Sequence, residues 1–228
     1  MSSAAAPIEG ESRGGPRSRK GVRTRAKLLE AAKKTFEEHG FLDARIADIA
    51  ERAGMSHGSF YHYFESKEQV FREVVEAVDE QLSEPMESVV FATAAEVPAW
   101  ERMFTAMRRH LERYQAEARL MGVIEQVARY DDHMGAVRLA QHKRYQDQIA
   151  HSIRQMQKRG VADPSLDPTI TAAALGALTE RFAEMWLVQH AVDCSLDEAS
   201  ETLATMFVNA LQMKDTPGGP LSSPPHGR

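Results

Sequence analysis

A single cysteine, Cys194, is all the thiol chemistry in this chain, which excludes an internal disulfide and suits a reducing, cytoplasmic setting. No run of about 18 apolar residues occurs, so no membrane-spanning helix is expected. The N-terminus, MSSAAAPIEGESRGGPRSRK, puts small residues first and basic ones last, the reverse of a secretory signal. Sustained period-two alternation and clustered Val, Ile and Thr are missing, and with them the signature of strands. No internal repeat suggests a solenoid. Metal-ligand spacing is lacking too: His57 and His62 are five apart, while His133, His142 and His151 recur every nine residues and fall on opposite faces of a helix. Cys194 has His190 four residues before it and no evident third partner, so no nucleophile–base constellation is visible. The chain is therefore expected to hold no metal, need no cofactor and catalyse no reaction.

What is present is an uneven charge on a soluble, core-forming composition. Hydrophobic residues make up 43% and charged residues 27%, enough to bury a core. Between Arg13 and Lys67 there are 12 Lys/Arg against 7 Asp/Glu, and from Glu68 onward 16 against 24. A basic head on an acidic body implies that the head alone meets a polyanion.

Periodicity predicts nine helices and an all-α fold. They are expected over about 22–39, 46–53, 57–63, from Ser66 to near Pro85, 98–117, 118–130, 132–159, 168–190 and 196–213. Local stop and start signals frame them. Gly40, Gly54 and Gly160 close helices; Ser56 and Asp167 can cap them; Ser66 with Gln69 and Ser195 with Glu198 have capping-box spacing. Residues 1–20 and 214–228, rich in Gly, Pro and Ser, are expected to be disordered. The domains then run 21–67 for the head and 68–213 for the body.

In the head, two short helices meet at Gly54 in the manner of a helix-turn-helix. Ala50 allows close approach, Gly54 can take the turn, and Ile49 and Phe60 point inward. The second helix is left presenting His57, Gly58, Ser59, Tyr61 and His62, a hydrogen-bonding set of short reach suited to a DNA groove. Lys67 is expected to reach a phosphate from the first turn of the next helix. The approach RSRKGVRTRAK, Arg25 included, would follow the backbone.

The stretch IADIAERAGMSHGSFYHYFESKEQVF resembles the N-terminal signature of the tetracycline-repressor (TetR) family of bacterial transcriptional regulators. Ile49-Ala50, Ala53-Gly54, Ser56, Gly58, Tyr61, Phe64 and Lys67-Glu68 carry the likeness, and LLEAAKKTFEEHGF resembles the family's first helix. It covers about residues 22–75. The resemblance implies a nine-helix TetR-like regulator in which His57 reads bases with Gly58 and Ser59 beside it. It further implies that Ser56 caps the recognition helix and that Tyr61, His62 and Lys67 contact phosphate or bases. Two positions depart from the pattern. Arg45 stands where a small capping hydroxyl is usual, so it is left to bind phosphate, and Ala47 stands where many members carry Arg.

The body is notable for Met and aromatic residues at helical spacing. Met103, Phe104, Met107, Leu111 and Tyr114 come first, then Met121 and Ile124, Met134 and Tyr145, and finally Phe182, Met185 and Trp186. Each could be plain core; together, with the resemblance, they are read as the lining of a pocket for a small apolar effector, oriented by polar groups such as Glu125 and Glu180. The small residues from Ala172 to Ala177 and the stripe from Leu196 to Leu211 are read as association surfaces. In TetR-like proteins the corresponding helices join a homodimer, which would space two heads for a palindromic double-stranded operator. The expectation is a cytoplasmic, homodimeric, ligand-responsive repressor; the alternative is a DNA-binding regulator or activator without a small-molecule effector.

Overall fold

The computed structural model describes residues 19–82, 97–216 and 218–225. The arm before Arg19 and the expected end of the fourth helix at Pro85 lie outside the described residues. Among the described residues there are eight α-helices, a short π-helical turn and no strand, so the all-α class holds with one α-helix fewer than expected. The chain divides into two compact units, Met1–Val74 and Val75–Arg228.

The first unit holds α1 (Arg19–Asp43), α2 (Ile46–Arg52), α3 (His57–Phe60) and the start of α4 (Lys67–Leu82). Its core is aromatic. Phe36, Phe60, Phe64 and Phe71 are fully buried beside Leu28, Ile49 and Ala50. The Phe71 ring meets Phe36 edge-on at 4.9 Å and Phe41 at 4.8 Å, an arrangement favoured by the ring quadrupole. Gly40 breaks the helical path of α1 with φ 71°, and the chain turns so that Phe41 can join this cluster.

The second unit is built of long helices: α5 (Ala99–Ala128), α6 (Asp132–Lys158), α7 (Pro168–Ala183) and α8 (Leu196–Ala210). Alpha5 packs mainly on α8 and α6 on α7. Where sequence reading put a break at Glu117/Ala118, α5 continues for 30 residues, because nothing in QAEARLM stops a helix. The stripe Ala199, Leu203, Phe207 and Leu211 of α8 is buried, so it serves the core of its own chain. Gly176 of α7 lets Ile149 of α6 approach to 3.8 Å from where a Cβ would stand. Part of the small-residue run is thus spent on α6.

Alpha7 passes into a π turn, Glu184–Val188. Gly122 of α5 makes room for it: a Cβ there would lie 2.9 Å from Val188 Cγ1. The described residues of the segment from Lys214, read above as disordered, meet the start of α5. The segment returns along α5, with Lys214 bridging Leu221. Asp215 accepts from the Ala99 N–H at 2.7 Å and Ser222 Oγ from the Trp100 N–H at 2.9 Å. Two orphan donors of the α5 N-terminus, where Pro98 offers no side-chain cap, are met in this way. A sequence distance of more than a hundred residues hid that pairing from local reading.

Candidate functional site

The head surface is assembled by local rules. Alpha2 ends where Gly54 takes φ 71° and the Met55 N–H reaches back to the Ala50 carbonyl at 2.8 Å, a Schellman closure. Ser56 then opens α3, its Oγ accepting from the Ser59 N–H at 3.3 Å and lying 2.8 Å from Ser59 Oγ. Phe60 anchors the short helix in the core. Its other face is open: Ser56, His57, Gly58, Tyr61 and His62 are exposed and Ser59 is half-buried. The His57 and Tyr61 rings meet edge-on at 5.4 Å. A Cβ on Gly58 would touch nothing within 4 Å and its φ is not positive, so the fold itself does not require glycine there.

The remaining residues expected at this surface lie differently. Arg45 is exposed at the N-cap of α2 with no side-chain cap, so capping is lost and its guanidinium points to solvent. Arg25 is ion-paired with Glu73 and sits 4.7 Å over the Phe64 ring. Lys67 is turned inward. Its ammonium donates to the carbonyls of Phe41, Leu42 and Ala44 at 2.7, 3.1 and 3.0 Å and lies 4.7 Å above the Phe41 ring. Three donors meet the carbonyls freed where α1 breaks at Gly40; the cation closes the head in place of reaching outward. Nothing at positions 41–44 announces this in the sequence, since the partner comes more than twenty residues later.

In the second unit, α4, α5, α6 and α7 border a half-open cavity of about 230 Å³. Of the residues read as a ligand lining, Tyr114, Met121 and Tyr145 are in its wall. Met103, Met107, Leu111, Ile124 and Met134 are buried core instead. Phe104 stacks on Trp100 at 5.3 Å. Phe182 and Met185 are half-buried outside the wall, and Trp186 donates to the Cys194 carbonyl at 3.0 Å. Leu82 and Ala177 complete the apolar part; the rest is polar, with Asp79, His110, Glu125, Arg138, Gln141, His142, Glu180, Arg181 and Glu184. The wall therefore carries more charged side chains than expected, although most of the surface it presents is apolar. Charged residues on a helix read as its solvated face, and only the packing of four helices brings Glu125, Arg138, Gln141 and Glu180 to one cavity.

Most of the charge is compensated. Arg138 clasps Glu125 at 2.6 and 3.0 Å and donates to Gln141 Oε1 at 2.9 Å. Arg144 pairs with Asp79, and Glu184 with Arg181 and Arg129. Burial, with the Glu125 charge adding and Arg138 opposing, pushes the Glu180 carboxyl up to about 7. Burial pushes His110 down to about 4 and lowers His142, and it raises the Tyr114 and Tyr145 hydroxyls. Among the described residues no three His, Cys, Asp or Glu side chains gather as a metal site would need, and no helix is long and apolar enough to cross a membrane.

Comparison with known proteins agrees with the head geometry. Residues 28–74 match the model for bacterial regulatory proteins of the tetR family. The chain is 46% identical over 56 residues to the HTH-type transcriptional regulator YdgC of Bacillus subtilis (strain 168), a match covering 25% of this chain and 29% of that protein. It is 32% identical over 93 residues to the HTH-type transcriptional repressor KstR2 of Mycobacterium tuberculosis, covering 41% and 46%. The chain thus spans less than half the length of these curated relatives. The fold matches a solved TetR-family transcriptional regulator from Mesorhizobium loti with TM-score 0.70 at 22% identity, over 85% of this chain and 98% of that one. Residues 28–74 thus carry the head signature of the tetR family of bacterial regulatory proteins, and the chain has the fold of a solved TetR-family regulator.

Proposed function

We propose that this chain is a ligand-responsive transcriptional repressor, acting in the cytoplasm, that binds a palindromic double-stranded operator as a homodimer. The observation that carries the reading is the outer face of α3. Ser56 and Phe60 fix the helix, while His57, Gly58, Tyr61 and His62 project polar atoms around a glycine the fold does not need. A side chain missing for no internal reason supports close approach of an external surface. His57 is the base reader in this reading, Tyr61, His62 and Arg45 contact phosphate, and Ser56 and Ser59 hold the helix start. Arg25 and Lys67 act through the head they brace. The name of KstR2 as a repressor favours repression over activation. Ile170 of α7 and Met206 of α8 are apolar and exposed, which favours covering by a second copy. The effector sits in the cavity around Tyr114, Met121 and Tyr145 and acts by binding the DNA-free state more tightly.

Gly58→Ala tests the central part of this. Alanine is the better helix former, so the variant should unfold at a slightly higher urea concentration, by about 0.5 kcal/mol or more. In the groove the added methyl should cost DNA affinity about tenfold, roughly 1.4 kcal/mol. Gel-shift titration that finds operator affinity unchanged would remove α3 from the interface.

A further inference from the structure

We propose that the cavity is a receptor for a small organic cation, whose ammonium nitrogen seats against Glu180 while an acceptor atom of the same molecule meets the amide N–H of Gln141; this rests on reading the cavity as the effector site. The argument is one of unmet partners. Four carboxylates reach the wall, and three are matched by a cation: Asp79 by Arg144, Glu125 by Arg138 and Glu184 by Arg181. Within ion-pair distance Glu180 has only His142, whose Nε2 is 3.4 Å from its Oε2, while Arg138 acts on it from farther off. That imidazole is held toward its neutral form by burial and by Arg138, so it supplies little countercharge. Glu180 is therefore the one wall carboxylate with no arginine in ion-pair contact, and above about pH 7 its charge is left without a direct partner.

Gln141 gives a second, independent observation. Its side chain is buried, 4% exposed. The bond from Arg138 to Oε1 sets the orientation of the amide and leaves Nε2 as a buried donor without an acceptor. His110 adds a third unmet atom, its buried Nε2 having no hydrogen-bond partner while its ring stacks on Tyr145 at 5.8 Å. A purely apolar occupant would leave all of these stranded, at the cost of buried polar groups without partners. An anion would meet Glu180 with like charge. A cation gives Glu180 the direct partner it lacks, and the rings of Tyr114 and Tyr145 add aromatic surface that suits it. The volume holds roughly ten non-hydrogen atoms at the packing of a condensed phase.

Two sets of matched probes separate charge from shape: tyramine, tyrosol and 4-hydroxyphenylacetate, and 4-phenylbutylamine, 4-phenylbutanol and 4-phenylbutyrate. Each is titrated calorimetrically into the full chain at about pH 8, above the value near 7 to which Glu180 is pushed. In the tyramine set, whose phenol oxygen can accept from Gln141, the amine should bind about tenfold or more tighter than its alcohol, with the acid weakest; the phenylbutyl set, which lacks that acceptor, should show the same order more weakly. Glu180→Gln, which keeps shape and relieves a buried charge, should abolish that preference while leaving the alcohol unchanged. If neither amine exceeds its alcohol, including the case in which no probe binds, or if Glu180→Gln keeps the preference, the proposal is overturned. Operator gel shifts on the same samples keep the two readings apart. Amines that bind without releasing DNA refute the effector reading and leave the site chemistry standing; release by non-cationic compounds, without amine binding, does the opposite.

Discussion

Lys67 illustrates how a side chain read for one surface can find its partners within the fold. A lysine in the first turn of a helix beside a DNA-reading segment suggests a phosphate contact, yet all three of its donors are used on the Phe41, Leu42 and Ala44 carbonyls. Lys67→Met keeps most of the stem and removes the charge; it should destabilise the head by about 2 kcal/mol, the scale of a charged hydrogen-bonded group left unmet, seen as an earlier urea transition. The salt dependence of DNA binding by the folded fraction should stay the same, whereas loss of a phosphate contact would shallow it. Glu180 makes a pH-dependent prediction. It is faced by His142, Arg138 and Tyr145 of α6, Glu125 and Tyr114 of α5, and Glu184 from its own side. Its folded value, about 7, is above the ordinary carboxylate range. The folded state therefore holds the proton more tightly, and stability from this group falls as pH rises from the unfolded value through about 7. Glu180→Gln should accordingly be near neutral at about pH 4 and stabilising by about 2 kcal/mol near pH 8, measured by denaturation across that range. The residues legible beforehand, Gly54, Ser56 and Phe60, obey local backbone rules; Lys67, Gln141 and Glu180 do not, since their partners come from other elements.

At the scale of elements, caps were legible and breaks less so. Ser195 and Glu198 form the full reciprocal box, with Oε2 of Glu198 accepting from the Ser195 N–H at 2.8 Å, and Asp167 caps α7 through Oδ1. Ser66 accepts from the Gln69 N–H as expected, but Gln69 returns its bond to the Glu65 N–H, one residue earlier than the box prescribes. The division of α5 into two helices was wrong because periodic apolar positions drift around a long helix and mimic a restart. The π turn was invisible, since its cause is tertiary: Gly122 and Val188 approach each other across two elements. Gly122→Ala should lose about 1 kcal/mol in spite of its better helix propensity, because the new methyl meets a β-branched side chain. The double variant Gly122→Ala with Val188→Ala should recover part of the loss, a non-additivity that a double-mutant cycle in urea can read.

For the whole molecule, the all-α class and the specific head followed from pattern and signature, while the nature of the cavity did not. Methionines and aromatics at helical spacing proved mostly to be core, as such residues usually are, and the cavity was lined by charges that sequence assigns to solvent. The proposed function requires two heads acting together, so the most direct measurement is selection of bound DNA fragments by the full chain, wild type beside His57→Ala, with the oligomeric state determined in the same buffer. The account predicts a dimer that recovers an inverted repeat with half-sites about 34–36 Å apart, and a variant that loses preference at one base position in each half. A chain that stays monomeric and selects no sequence even at low ionic strength would contradict it.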